Sequence, residues 1–448
     1  MGTRFRPYQP DQPYLLPPSP ADWLPDGHLA YFISEVVDQL DVSAFCTRYE
    51  GDGRRNSPYH PTMMLKVLLY AYSSGVFSSR KIAGKLVVDI AFRVLSAGNF
   101  PDFRTINRFR QQHLREFQDV FVQVVSMARE MKLLKLGTLA VDGSKVRANA
   151  SKHKAMSYGR MKQEQERLRG EIAELLERAQ AVDEAEDLEY GADKQGDELP
   201  EELERREQRL QKIQEAKRRL EQRQREADRA AGRSEDDGNN ASGVRPQGGR
   251  SKFRRQFGEV PDKQQDNFTD PESRIMKTGD GFQQCYNAQA AVDGDTQLIV
   301  ASAVEQNAAD NGSLIPMTRA ARANAGRQPA RVLADAGYAS EENFQRLNED
   351  KITGYVALGR EGKAGRKINP EHLETQAMKQ RLGSKPGKAW YKRRKAIVEP
   401  VFGWVKEALG FRRFRLRGLA KVSAEWDLVC TAVNLRRIHV LSAAAAAR

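Results

Sequence analysis

Apolar residues recur at helical spacing from Ala21 to about Leu134, with few strand-like runs between them. Met64, Leu65, Leu68, Leu69 and Tyr72 follow Pro61, a favourable first-turn residue. Ser78 and Ser79 can cap a helix carrying Ile82, Ala83 and Leu86, and Asp102 can cap one carrying Ile106, Phe109 and His113. This zone predicts an all-helical domain. From about Ser151 to Gln283 the apolar pattern thins to two seams, Leu168, Ile172 and Leu175, then Leu203, Leu210, Ile213 and Leu220. The sequence around them is rich in Glu, Arg, Lys and Gln, the pattern of long exposed helices or an antiparallel hairpin, and the seams look too thin for a globular core. Residues 183–202 read as a flexible acidic loop, and 231–252 have the composition of disorder.

Strand patterns lie on either side of that insertion. The run GTLAVD ends in Asp142, QCYNAQAAVD and TQLIVASAV flank the turn at Gly294 and Asp295, and ARVLAD ends in Asp335. A helix opens at Ser340 with the acidic first turn SEEN, and GYVAL follows as a further strand. The order β, insertion, β, β, α, β, α, β, α predicts a mixed α/β domain. Asp142 and Asp335 each close an apolar strand and are followed within two residues by glycine, which lets the backbone turn. Asp293 and Asp295 are explained by turn chemistry, and Asp310 reads as a cap of the following helix. Glu425 and Asp427 fall in a late helix that packs the domain.

A further helix is marked by Val398, Phe402, Val405 and Leu409 on one apolar face, with Glu399 and Lys406 two turns apart beside it. Pro400 lacks a backbone N–H, so the helix is expected to kink or restart there and leave Glu399 near a positive helix N-terminus. The block Arg393 to Gly418 holds eight positive charges and two carboxylates, Glu399 and Glu407.

Charge changes the picture. The 448 residues carry a net charge of +13, which suits a polyanion such as nucleic acid. Arg104, Arg108 and Arg110, with Asn107, Gln111 and Gln112, lie off the apolar face of their helix, as in a helix-turn-helix reader of phosphates and base edges. Lys406, Arg412, Arg413, Arg415 and Arg417 alternate in part with Phe411, Phe414 and Leu416, so apolar residues can anchor the segment while cations face phosphate. Lys145, Arg147 and Lys152 extend this surface just beyond Asp142. No run of about 18 apolar residues appears and no hydrophobic leader core, so a soluble cytoplasmic protein without a membrane partner is expected. Three scattered cysteines and six unclustered histidines suggest neither a disulfide framework nor a zinc site, and no GxxxxGK[ST] or GxSxG is present.

Asp142, Asp335 and Glu399 suit one chemistry. Two Mg²⁺ ions about 3.5 to 4 Å apart can aim a nucleophile at phosphorus and stabilise the leaving oxygen. Magnesium takes hard oxygen ligands, and three converging carboxylates would anchor such a pair while leaving positions open for phosphate.

These segments carry a family resemblance. VDGSKVRANASKHK around Asp142, YNAQAAVD, LADAGYAS around Asp335 and VEPVFGWVK around Glu399 resemble the cut-and-paste DDE transposases of bacterial insertion sequences, as do HPTMMLKVLLYAYSSG and FRTINRFR near the start. The resemblance implies an α/β, ribonuclease-H-like mixed sheet with flanking helices, interrupted by a helical, coiled-coil-like insertion and preceded by an all-α N-terminal domain. Expected bounds are 1–135 for the helical domain, 136–150 with 284–439 for the catalytic domain, 151–283 for the insertion and 440–448 for a tail. It further implies Asp142, Asp335 and Glu399 as catalytic, metal-binding residues for two Mg²⁺ ions, for which Mn²⁺ can substitute. The implied partners are double-stranded DNA at element ends and target, with a homodimer or higher assembly on DNA in the bacterial nucleoid. Related transposases carry a tyrosine, arginine, glutamate, lysine signature. Lys406 keeps its spacing from Glu399, but four residues separate Arg394 from Glu399, one more than in the signature. Tyr391 and Arg394 keep their mutual gap, and Lys392 and Lys395 hold the nominal tyrosine and arginine positions. Two other readings fit the same residues: a non-mobile ribonuclease-H-like DNA nuclease, and a catalytically silent DNA-binding regulator.

Overall fold

The computed structural model describes residues 20–49, 57–190, 201–233, 255–359 and 369–446. The chain forms two compact units, one built from the segment up to Val146 with that from Tyr286 onward, the other from Arg147–Cys285. Helices α1 (Leu29–Gln39), α2 (Ser43–Thr47), α3 (Pro61–Ser73), α4 (Ser79–Val88), α5 (Ile90–Leu95), α6 (Phe103–Gln112) and α7 (Leu114–Glu130) lead to strand β1 (Thr138–Arg147). Then come β2 (Ala155–Ser157), α8 (Tyr158–Tyr190), α9 (Glu201–Ala230), β3 (Gln265–Asn267), β4 (Arg274–Thr278) and the long β5 (Gly281–Asp293). The remainder is β6 (Ile299–Glu305), α10 (Leu314–Ala325), β7 (Arg331–Ala334), α11 (Glu341–Glu349), β8 (Thr353–Val356), α12 (Leu373–Gly383), α13 (Lys385–Gly403) and α14 (Leu419–Ala446).

In the first unit the strands run in the order β5-β1-β7-β8, with β6 also paired to β5. β1, β7 and β8 are parallel and β5 with β6 antiparallel, which is the mixed α/β sheet expected of a ribonuclease-H-like domain. β7 is buried along Val332, Leu333 and Ala334, as a parallel strand covered on both faces should be. Helix α14 is buried nearly all round from Ala424 to Leu435, so it is a core helix and not an amphipathic surface one. It touches α3, α7 and β6. Asn434 accepts from the Ile299 N–H at 2.8 Å and donates to the Ile299 carbonyl at 2.7 Å, closing part of the exposed side of β6. Trp426 donates from Nε1 to the Gln289 carbonyl at 2.9 Å, which satisfies the one polar atom of a buried ring. The helix continues to Ala446, so the expected tail from residue 440 is largely helical.

The N-terminal helices belong to this same unit, and a buried charge network is part of the reason. Arg110 donates to Tyr72 Oη at 2.9 Å, to the Phe77 carbonyl at 2.9 Å and to Ser79 Oγ at 2.7 Å. Tyr72 Oη in turn donates to Glu425 Oε1 at 3.1 Å, and Glu425 Oε2 accepts the backbone N–H groups of Arg415 and Leu416 at 2.8 and 3.0 Å. Arg110 therefore faces the core and not DNA. It follows Ile106 by four residues, so it shares the buried stripe of α6, whereas Arg104 and Arg108 are exposed.

The second unit has a core of its own. Tyr158, Met161 and Leu168 of α8 pack with Ile213, Ala216 and Leu220 of α9 and with Val260 from the following segment. The seams are thin, as their sequence suggested, but Tyr158, Val260 and the partly buried Phe268 complete them. Asp266 on β3 is buried and ion-paired to Arg219 and Arg223 of α9, tying the two-stranded β2–β3 ribbon to the hairpin. Part of the expected acidic loop is helical, since α8 runs to Tyr190; residues 191–200 and 234–254 lie outside the described residues.

Removing Arg110 leaves Glu425 as a buried charge without its cation, a change that typically costs about 3–5 kcal/mol. Arg110→Met should show a loss of that order in urea unfolding, while Arg108→Met on the exposed side of α6 should stay within about 0.5 kcal/mol of the parent.

Candidate active site

Register brings the two aspartates together. Val141 of β1 pairs with Ala334 of β7, so Asp142 and Asp335, the next residue on each, leave neighbouring parallel strands side by side. This is the carboxyl end of the parallel strands, where open α/β sheets hold ligands. β1 does not end at Asp142 but runs on to Arg147, so Asp142 is carried past the end of its neighbour.

Each carboxylate is anchored by a backbone N–H just beyond it in the chain. Asp142 Oδ1 accepts the Gly143 N–H at 2.8 Å, and Asp335 Oδ1 accepts the Gly337 N–H at 2.8 Å while capping a single 3-10 turn. Neither glycine has the positive φ that would make glycine a conformational necessity. Crowding makes it one instead. A Cβ on Gly143 would stand 2.2 Å from Gln289 Nε2 and 2.7 Å from Asp310 Oδ1, and one on Gly337 would stand 3.0 Å from both Asp310 Oδ2 and Asp335 Oδ1.

Glu399 lies on α13, which packs on β7 and β8. Contrary to the expectation from Pro400, the helix neither breaks nor restarts: it begins after Ser384, with Pro386 in its first turn, and continues through Pro400 to Gly403. The Ala396 carbonyl, which Pro400 cannot serve, accepts instead from Gln297 Nε2 at 3.0 Å. Glu399 is thus near the C-terminal end of α13, without the stabilisation of a helix N-terminus. The helix then widens to a π turn over Trp404–Ala408, which carries Lys406.

The group that joins α13 to the sheet is Arg394. It is buried, with Nη1 2.9 Å from Asp142 Oδ2 and Nη2 3.8 Å from Glu399 Oε1. One guanidinium therefore bridges two of the three acids despite the irregular spacing. Burial pushes the Asp142 carboxyl up to about 6; Arg394 and the Gly143 N–H oppose that rise, and the charge of Asp335 adds to it. Burial alone would lower the Arg394 pKa, but Asp142, Tyr391 and Asp335 hold it up. Tyr391 is half-buried one turn earlier on α13, and Lys395 is exposed.

The cationic residues divide by environment. Lys145 pairs with Asp310 at 3.4 Å, Arg147 with Asp280, and Lys406 donates to the Lys145 carbonyl at 3.3 Å. Arg412, Arg413, Arg415 and Arg417 are exposed while Phe411, Phe414 and Leu416 are buried, the alternation their order suggested. Asp310 does not cap α10: its carboxylate accepts from Asn287 Nδ2 at 2.6 Å and Gln289 Nε2 at 2.8 Å, and α10 begins at Leu314 after Ser313, which makes no side-chain cap. The signal in the sequence lies in β5, where Asn287 and Gln289 fall two apart on one face amid the buried run from Cys285 to Val292.

Three carboxylates supply the hard oxygen donors that Mg²⁺ requires, and the cation already among them shows that the place favours positive charge. Yet among the described residues no three His, Cys, Asp or Glu side chains are grouped closely enough to hold a metal ion as they stand. Also among the described residues, no helix is long and apolar enough to cross a membrane.

Arg394→Gln should destabilise the protein by about 1–3 kcal/mol in urea unfolding at pH 8, because a buried carboxylate loses its charged partner. Asp142, with its folded pKa raised from 3.8 to about 6, is largely protonated at pH 5. The deficit of the variant should therefore shrink as pH falls from 8 to 5.

Two stretches of the chain match known family models. Residues 255–435 match the model described as Transposase DDE domain, a span that includes Asp335 and Glu399, and residues 18–112 match the Transposase domain (DUF772), a span that includes α1 to α6. No curated protein and no solved structure matches the chain. The two family matches, one over the N-terminal helices and one over the later part of the sheet, indicate that the chain is an insertion-sequence DDE transposase.

Proposed function

We propose that this transposase cleaves DNA at the ends of its element and transfers the freed 3′ ends into target DNA, with Asp142, Asp335 and Glu399 as the catalytic, metal-binding residues. The observation that carries the reading is the single guanidinium of Arg394 set between Asp142 and Glu399, with Asp335 in register beside Asp142. Family members generally use divalent metal ions. Bound by these carboxylates, Mg²⁺ or Mn²⁺ would supply Lewis-acid stabilisation of a phosphodiester undergoing in-line attack.

The chain's own residues set the conditions for that chemistry. Asp142 must be ionised to serve as a ligand, and burial opposes this up to a pH of about 6. Arg394 counters the burial and keeps the acids from repelling one another before a cation is held. Lys406, on the π turn beside β1, stands where a phosphate contact would pull DNA toward the acids. Arg104, Arg108, Arg412, Arg413, Arg415 and Arg417 are exposed cations suited to the DNA backbone, whose binding would then weaken steeply with salt. Assembly of two copies would be required to bring two element ends together.

Purified protein incubated with labelled element ends and Mg²⁺ should nick them and join the label to a target plasmid. Asp142→Ala should lower both steps by about a hundredfold or more. Nicking that survives the substitution would remove Asp142 from the site. Nicking without joining would identify a nuclease, and metal-independent DNA binding without nicking would identify a silent regulator.

A further inference from the structure

Asp310 stands out as an acid that neither motif nor family match singles out by role, and it sits against both glycines of the site, Gly143 and Gly337. Its Oδ1 accepts from Asn287 at 2.6 Å and Gln289 at 2.8 Å, two amides of β5, and Lys145 of β1 lies 3.4 Å away. Gln289 is in turn held by Tyr338, whose hydroxyl donates to Gln289 Oε1 from the turn just after Asp335. The whole assembly is deep: Asn287, Gln289 and Tyr338 have no exposed surface, and Asp310 retains only 16 % of its side-chain exposure. Burial, and after it the negative charges of Asp310, Asp142 and Asp335, hold the Tyr338 phenol far above its usual range.

Position then distinguishes Asp310 from an ordinary buried acid. Its Oδ1 crowds the space above Gly143, whose N–H holds Asp142, and its Oδ2 crowds the space above Gly337, whose N–H holds Asp335. The two amides and Lys145 fix Asp310 from the sheet side, so the carboxylate acts as a wedge between Gly143 of β1 and the 3-10 turn at Gly337. Oδ2 also shares the space above Gly337 with Asp335 Oδ1. Two carboxylate oxygens facing one gap favour a cation there by simple charge.

We propose that Asp310 is a positioning residue of the metal site, setting the orientation of Asp142 and Asp335 by packing against Gly143 and Gly337 and adding negative charge beside Asp335. This rests on the reading of Asp142, Asp335 and Glu399 as metal ligands. It also accounts for glycine at both positions: each lies where a side chain would displace Asp310 or, at Gly143, the Gln289 amide that holds it.

The test uses full-length protein and Mn²⁺ binding followed by electron paramagnetic resonance, with no DNA present, beside thermal melting. Asp310→Asn keeps the shape and loses the charge. Gly337→Ala keeps every charge but adds a methyl between Asp310 and Asp335. Each should weaken Mn²⁺ binding by about tenfold or more, the range typical of groups that orient metal ligands, with a melting temperature close to that of the parent. In cleavage assays the Mn²⁺ concentration for half-maximal rate should rise in the same proportion. Asp142→Asn serves as the reference. If Asp142→Asn abolishes binding while both other variants bind within about twofold of the parent, the role of Asp310 is overturned and the ligand reading stands. If Asp142→Asn binds as the parent does, the ligand reading fails and this inference with it. A drop in melting temperature that tracks the loss of binding in both variants would reduce Asp310 to a structural acid.

Discussion

Asp142, Asp310 and Asp335 meet at one end of a parallel sheet, and their mutual repulsion is the constraint around which the rest of the site is built. Three acids in a partly dry place are unfavourable unless cations and N–H groups answer them. The answer comes from every side. Arg394 approaches from α13, Lys145 from β1, the amides of Asn287 and Gln289 from β5, and backbone N–H groups from Gly143 and Gly337. The two N–H groups are local to the acids they hold, whereas the side-chain partners come within reach only through the packing of the sheet and α13.

A site of this kind is balanced rather than saturated. Arg394 holds Asp142 at hydrogen-bonding distance and Glu399 only loosely, and Glu399 is more than half exposed. The third acid is therefore the least committed of the set, carried on a helix that continues through a proline, with Gln297 taking the orphaned carbonyl. The helix end, its π turn and Lys406 follow one another within a few residues, and π turns of this type tend to mark functional positions. The acids on the sheet are held by several hydrogen bonds, and the helix brings an exposed, loosely paired charge beside them.

The scaffold behind the site depends on a second set of buried charges. Tyr72, Arg110 and Glu425 link α3, α6 and α14, so the N-terminal helices share a core with the sheet and are not a separate bead on the chain. Glu425 also fixes the backbone at Arg415 and Leu416, within the exposed arginine run. The core and an exposed basic segment are thereby tied by one carboxylate. The second unit shows the opposite economy, with a small core in which a buried aspartate between two arginines compensates for few apolar side chains.

Much was legible in the order of residues alone. Short apolar runs marked β1, β5, β6, β7 and β8, helical spacing marked the N-terminal helices and the two long helices of the insertion, and alternation separated buried Phe411, Phe414 and Leu416 from the exposed arginines. These features are local, because a side chain's face follows from its backbone period. What the sequence could not decide was which distant groups share space. Arg110 looked like one more basic residue of α6, Arg394 looked misplaced by one position, and Asp310 looked like a helix cap. Each acquired its place from a partner remote in sequence: Glu425, Asp142 and the pair Asn287 and Gln289. Spacing rules compare neighbours along one helix, whereas a guanidinium on a long, flexible stem reaches across elements. The glycines at 143 and 337 make the same point, since their need arises from the carboxylate packed against them and not from their own dihedral angles.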